Sequence, residues 1–263
     1  MSLSQRVAFN TLVQGLGRMG VILATVLTTA ILTRLLGISG FGNYIFITSF
    51  IVLFTSISDW GTGIISIREA AKGEIEEEKI FGNAFILRFF LALFSFLVVN
   101  LLARIFPVFK SLTLATTIAS FLLFLHSLRT SCQIIFQAKL RFENQAITET
   151  YISGLFLFFL ILALRIPLDL SLVILLLLLA NLLGTFLALF LSRRLASFDI
   201  NVNGDILKKI FFEALPTGAL LFIFGIYNRL DIVLLQIIKG SEAVGIYGLA
   251  YKVHDNLILG AAY

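Results

Sequence analysis

Charge is scarce in this sequence. Only 13% of its residues are Asp, Glu, Lys or Arg, against about a quarter in an ordinary soluble domain. With 59% apolar residues and a mean hydropathy of +1.02, the chain is excluded from that class. A single cysteine, Cys132, excludes an internal disulfide framework and any thiolate metal cluster. With only two histidines, His126 and His254, an imidazole metal site has little support, and a hydrogen-bonded helix-bundle residue is the default for His126. No P-loop is present, so no direct use of ATP is expected, and no cofactor is expected either. The net charge of +5 does not point to nucleic acid, because the cations are scattered between apolar runs instead of gathered in a patch.

What is abundant is apolar sequence in membrane-length pieces. A crossing takes ~20 residues, and the spans fall at about 8–36, 44–67, 81–106, 111–136, 146–165, 168–192, 210–238 and 243 to the end. The expected fold is all-α and polytopic, with about eight transmembrane helices. The first span is too long and too polar after Arg6 for a cleavable signal peptide. The loop cations set the orientation. With the N-terminus inside, Arg6, Arg68, Lys72, Lys79, Lys139, Arg141, Arg193, Arg194, Lys208 and Lys209 face the cytoplasm. The opposite side has half as many: Arg34, Arg104, Lys110, Arg165 and Lys239.

Between the first two spans lies Thr33-Arg34-Leu35-Leu36-Gly37, followed by Gly40-Phe41-Gly42-Asn43-Tyr44. Gly37, Gly42 and Tyr44 recur at one constant offset as Gly240, Gly245 and Tyr247, again between apolar segments. A duplicated helix-hairpin-helix is the reading, with the chain built from two related halves. Residues 1–200 are expected to form a six-helix lobe, and 201–263 the first two helices of a repeated second lobe that this chain leaves incomplete.

Polar residues inside the spans carry the functional information. In the first, Asn10, Gln14, Arg18, Thr25 and Thr29 share a wedge roughly 100° wide on a helix, so one face is polar at membrane depth. Gly15-Leu16-Gly17-Arg18-Met19-Gly20 is formally G-x-G-x-x-G, yet a dinucleotide site needs a preceding strand and an acid ~20 residues on. Close helix packing or local flexibility explains these glycines better. The second span repeats the device with Thr48, Thr55, Asp59, Thr62 and Ser66, and Asp59 should find a charge partner. Residues 69–79, with five glutamates, read as a solvated cytoplasmic loop, not a metal site. Arg88 enters the third span, and His126, Arg129, Thr130, Gln133 and Gln137 share a face of the fourth. The fifth and sixth spans are almost wholly apolar and read as lipid-facing walls, after an amphipathic connection over 138–149. Asn203 or Asp205 is the expected N-cap of an interfacial lead-in over 206–213. Pro216 should kink the seventh span, whose outer half holds Tyr227, Asn228, Arg229 and Asp231; Lys252, His254 and Asp255 follow in the eighth.

Arg18, Arg88 and Arg129 lie on different helices, each about a third of the way in from the cytoplasmic side; Arg18 and Arg88 are ~10–15 Å deep. A charge at the bilayer centre costs ~2.5–3.5 kcal/mol on insertion scales, so such residues should line a hydrated cavity or pair with anions. Asp59 neutralises only one of them. The net positive level, with Gln14 and Gln133 beside it, suits a diphosphate, whose oxygens match guanidinium forks.

The first hairpin, Asp59-Trp60-Gly61, Leu215-Pro216-Thr217-Gly218, Arg229-Leu230-Asp231 and the run Val244–Val253 together resemble the polysaccharide biosynthesis (O-antigen) flippase family. That family belongs to the multidrug/oligosaccharidyl-lipid/polysaccharide exporter superfamily. The resemblance implies two six-helix lobes around a cationic cavity. It also implies transfer of polyprenyl-diphosphate-linked oligosaccharides from the cytoplasmic to the outer leaflet of the cell membrane, the inner one where the envelope has two. The implied partners are that lipid, the surrounding membrane lipids and, through the shared substrate, polysaccharide polymerase and glycosyltransferases. Arg34, Gly37, Gly42, Tyr44, Asp59 and Gly61 occupy motif positions of the family; Arg18, Arg88 and Arg129 rest on depth alone. A cation-coupled multidrug-type exporter is the alternative. A membrane enzyme ranks below both, because the outer loops hold only a few residues for acid–base chemistry.

Overall fold

The computed structural model describes residues 3–196, 198–199 and 201–261, with side chains described between Val13 and Lys252. The side chains of Asn10, His254 and Asp255 therefore lie outside the described residues. The helices are α1 (Leu3–Asp59), α2 (Thr62–Lys72), α3 (Glu77–Ile105), α4 (Thr113–Ser120), α5 (Leu122–Ala138), α6 (Phe142–Leu162), α7 (Leu170–Arg193), α8 (Gly204–Lys239) and α9 (Ser241–Ala261). Among the described residues there is no strand. Six stretches of the described residues are long and apolar enough to cross a membrane, and the first of these, Val13–Lys72, has the length of two crossings. The chain is an all-α, polytopic membrane protein.

The first two crossings are separated at Gly37, whose φ of 67° and ψ of 177° belong to a region essentially reserved for glycine. Along a straight helix Thr25 and Tyr44 would lie about 28 Å apart, yet both line one cavity, so the chain doubles back there. Gly240, between α8 and α9, repeats the conformation with φ 82° and ψ −177°. The two turns also pack on each other reciprocally. A Cβ on Gly42 would collide with the Ser241 carbonyl, and one on Gly245 with the Ile38 carbonyl, two contacts that exchange under the repeat offset. Ser39 and Ser241 complete the junction through a hydrogen bond of 2.6 Å between their hydroxyls.

Behind the turns, Phe46, Phe50 and Phe109 stack, with centroids 5.0 and 4.8 Å from Phe109. They head a buried cluster that draws Leu123, Leu160, Ile174, Ile232 and Val244 from five other helices. In lipid such clusters gain from close van der Waals packing and not from leaving water. At the opposite end Ile80, Phe81, Ile134, Ile135, Ile206 and Ile210 form a second cluster that seats α8 against α3 and α5.

Several expectations need correction. The second crossing ends at Asp59, where Trp60 (φ 44°) and Gly61 (φ 71°) break the chain before α2. The break faces α8: Trp60 covers Gly218, where a Cβ would sit 2.5 Å from its ring, and lies 6.1 Å from Phe222. Glu69 is not solvated. It is 3% exposed, with Lys72 Nζ at 2.7 Å and Lys209 Nζ at 2.6 Å, because the start of α8 docks on α2. Arg68 pairs with Glu213 across the same seam. No separate lead-in precedes the seventh crossing: α8 runs unbroken from Gly204 through Pro216, capped by Asn203 Oδ1, which accepts from the Asp205 and Ile206 amides. The connection after α5 is only a short turn, and α6 starts at Phe142, which brings Gln145 and Glu149 into a crossing.

Candidate functional site

The polar face of α1 and the face of α5 carrying Arg129 converge with α3 and α6. Arg88, 2% exposed, ion-pairs with Asp59 at the Trp60 break, and its Nε donates to Thr62 Oγ1 at 3.0 Å. Arg129 donates to Asn181 Oδ1 on α7 at 2.8 Å. The helices that carry the two guanidiniums, α3 and α5, pack directly on each other. Glu149 on α6 continues the row. Its Oε1 accepts from Gln133 at 3.3 Å and from Gln145 at 3.1 Å, and the Arg129 charge reaches it. Gln137 donates in turn to Gln145 at 3.3 Å. Arg18 and Gln14 face Gln145 and Glu149 across an opening of about 30 Å³.

The sequence-predicted residues Arg18, Arg88, Arg129, Gln14 and Gln133 therefore form one row with Asp59. Glu149 and Asn181 belong to it too, although the fifth and sixth spans read as lipid-facing walls. A second carboxylate lowers the positive excess of the row to a single charge. Each arginine also keeps an unsatisfied donor: Arg18 Nε, Arg88 NH1 and Arg129 Nε are buried with no acceptor among the described residues. Buried donors are normally paired, and anionic oxygens are the acceptors that guanidinium groups take best.

Toward the Gly37 turn the polar face of α1 opens into a second cavity of about 130 Å³, lined by Thr25, Thr28, Thr29, Tyr44, Ser153 and Lys252. Lys252 also lines a neighbouring space of about 90 Å³ with Thr48, Ser49 and Arg229. Arg229 lies over the Tyr251 ring, 5.5 Å from its centroid, and Asp231 accepts from the Tyr247 hydroxyl at 2.7 Å. Arg229, Asp231 and Lys252 thus stand apart from the arginine row. So does Arg34, which is exposed just before the turn. Gly37, Gly42 and Tyr44 shape the hairpin: the glycines make the turn and the close crossing, and Tyr44 walls the cavity.

Two glycines of the G-x-G-x-x-G stretch, Gly17 and Gly20, pack α1 onto α6. A Cβ on Gly17 would meet Ala146 Cβ at 3.1 Å, one on Gly20 would meet Thr150 at 3.3 Å, and Thr150 Oγ1 donates to the Gly17 carbonyl at 3.1 Å. Among the described residues no three His, Cys, Asp or Glu side chains group as metal ligands.

Over residues 7–261 the sequence matches the model of a family described as polysaccharide biosynthesis protein. No curated protein sequence matches the chain. The solved structure of the MATE multidrug transporter DinF-BH in complex with R6G superposes with a TM-score of 0.77 at 15% identity, covering 98% of this chain and 62% of that one. A second solved chain, described as protein A, gives 0.75 at 14% identity over the same shares. At such identities the likeness establishes the fold. The chain spans 62% of the length of these solved chains.

Proposed function

The chain belongs to the polysaccharide biosynthesis protein family, and from that membership we propose that it serves as a flippase for polyprenyl-diphosphate-linked oligosaccharide repeat units. In this reading it sits in the cell membrane with its N-terminus in the cytoplasm, and residues 1–200 form one lobe against the first helices of a second, 201–263. The repeat units move from the cytoplasmic to the outer leaflet without covalent chemistry, and the neighbouring polymerase and glycosyltransferases share the lipid.

One observation carries the proposal: the row Arg88, Arg129, Arg18, with a positive excess and three buried guanidinium donors that have no acceptor among the described residues. A diphosphate supplies both the charge and the acceptor oxygens, in the planar forked geometry guanidinium prefers. The hydroxyl-lined cavity at Lys252 gives the anion a second station. Arg18 and Thr28 are ten residues apart on one helix, about 15 Å along its axis. In cells, alanine at Arg18, Arg88 and Arg129 in the full-length protein is expected to make lipid-linked repeat units accumulate on the cytoplasmic face. Normal surface polysaccharide in the triple variant rejects the assignment.

A cation-coupled multidrug-type exporter is the second reading, favoured by the intramembrane carboxylates Asp59 and Glu149. Both already bond to neighbours in the row, which ranks it lower. Unchanged drug susceptibility in a deletion strain rejects it.

A further inference from the structure

The polar faces of α1 and α6 do not stop at the arginine row. On α6 the series Gln145, Glu149 continues one turn further with Ser153, and on α1 Arg18 is followed along the same face by Thr25 and Thr29. Both series end in the cavity of about 130 Å³ that Thr28, Tyr44 and Lys252 complete. A polar path therefore joins the two sites, and from Arg18 to Thr28 it runs about 15 Å along α1.

What fits the cavity is decided by the groups that line it. Thr29 Oγ1 donates to the Thr25 carbonyl at 2.8 Å, and Ser153 Oγ to the Glu149 carbonyl at 3.0 Å. A hydroxyl has a single proton, so toward the cavity these two oxygens can only accept. The Lys252 ammonium can only donate. Leu32, Phe156 and Leu177 supply an apolar wall beside them. An acyl chain leaves the ammonium and both hydroxyls without partners. An anion alone engages Lys252 but has no proton for the two oxygens. A pyranose ring answers all of them: its hydroxyls donate and accept, and its C–H face lies on the apolar wall. The size agrees, because a protein cavity of about 150 Å³ takes a six-membered ring.

Resting on the flippase reading above, we propose that this cavity is a glycan subsite, which takes one sugar ring of the repeat unit while the diphosphate lies on the arginine row. The ring it takes stands a few sugars out from the diphosphate, because the glycan must bridge the stretch from Arg18 to Thr28. Lys252, which later meets the passing diphosphate, meets a sugar first. The substrate is thereby measured as well as bound: a glycan too short for the path engages the row alone. Lys252 is on α9, whereas the other lining residues are on α1, α6 and α7. Only a glycan of sufficient length therefore ties the two repeats together.

The test uses the full-length protein in nanodiscs and short-chain polyprenyl diphosphates carrying no sugar or one to four glucose residues. The contacts invoked are to ring hydroxyls that any hexopyranose carries, so glucose oligomers are a sufficient probe. Affinity is expected to stay level for the shortest glycans and then to rise in one step once the chain spans the path. The step should be at least about tenfold, the contribution of one or two such hydrogen bonds. Thr29→Val combined with Ser153→Ala, which removes both accepting oxygens, should abolish the step, and Thr29→Ser, which keeps them, should retain it. A level series in the wild-type protein, a gradual rise with every added sugar, or a step that survives the double substitution overturns the subsite. Wild-type protein that does not bind even the sugar-free polyprenyl diphosphate overturns the flippase reading, and the subsite with it.

Discussion

Arg88 is the most enclosed charge in the bundle, and Asp59 is its counter-ion. Removing one partner of a buried pair leaves the other uncompensated and costs ~3–5 kcal/mol, whereas replacing both is far milder. Asp59→Ala is therefore expected to lower the thermal midpoint of the detergent-solubilised full-length protein sharply. Asp59→Asn combined with Arg88→Met should recover most of that loss; a double variant as unstable as the single one contradicts the pairing. Glu149 has a different part. It sits among the arginines as a built-in anion, so Glu149→Gln adds one net positive charge to the row while keeping a side-chain oxygen to accept from Gln133 and Gln145. Binding of inorganic pyrophosphate should tighten, on the order of tenfold for ~1.4 kcal/mol of added attraction. A titration showing unchanged or weaker binding removes Glu149 from the site.

At the scale of elements, the seams are set by glycine. Gly42 has no room for a Cβ against the Ser241 carbonyl, whereas Gly15 on α1 faces open space. Gly42→Ala should force the two turns apart at ~1–3 kcal/mol, the range of overpacked sites, while Gly15→Ala should leave the thermal midpoint at or above wild type. Equal midpoints for the two variants contradict the reciprocal junction. Features of this kind are the ones a sequence displays. The repeated glycines were legible because Gly37 and Gly240 need a backbone conformation that favours glycine and Gly42 and Gly245 have no room for a Cβ, and the stripe from Gln14 to Thr29 because four polar residues on one helix face have a period. Glu149 and Asn181 were not, since a lone polar residue in an apolar crossing leaves no pattern. Only the i, i+4 series Gln145, Glu149, Ser153 hinted at a buried face. The break at Trp60 was hidden for another reason: Trp60 is not a residue that announces a left-handed turn, and it is the docking of α8 at Gly218 that gives its ring a seat. Glu69 likewise sits in a run of charge that reads as solvated until Lys209 arrives from more than a hundred residues away.

Across the whole molecule these pieces form one course. The arginine row lies where α1, α3, α5 and α6 meet, the Lys252 cavity lies further along the same face of α1, and the reciprocal turns close the far end. On the proposed flippase reading, a positively charged course of this kind selects by charge before it selects by sugar, and that selectivity should fade with salt to the extent that water reaches it. The most direct measurement is equilibrium binding of a short-chain polyprenyl diphosphate to the full-length protein, against the same prenyl chain carrying a neutral glycoside. The account predicts that the diphosphate binds at least about tenfold more tightly, ~1.4 kcal/mol, and that glutamine at Arg18, Arg88 and Arg129 together abolishes the difference. Equal affinity for the two lipids, or a preference that survives in the triple variant, contradicts it.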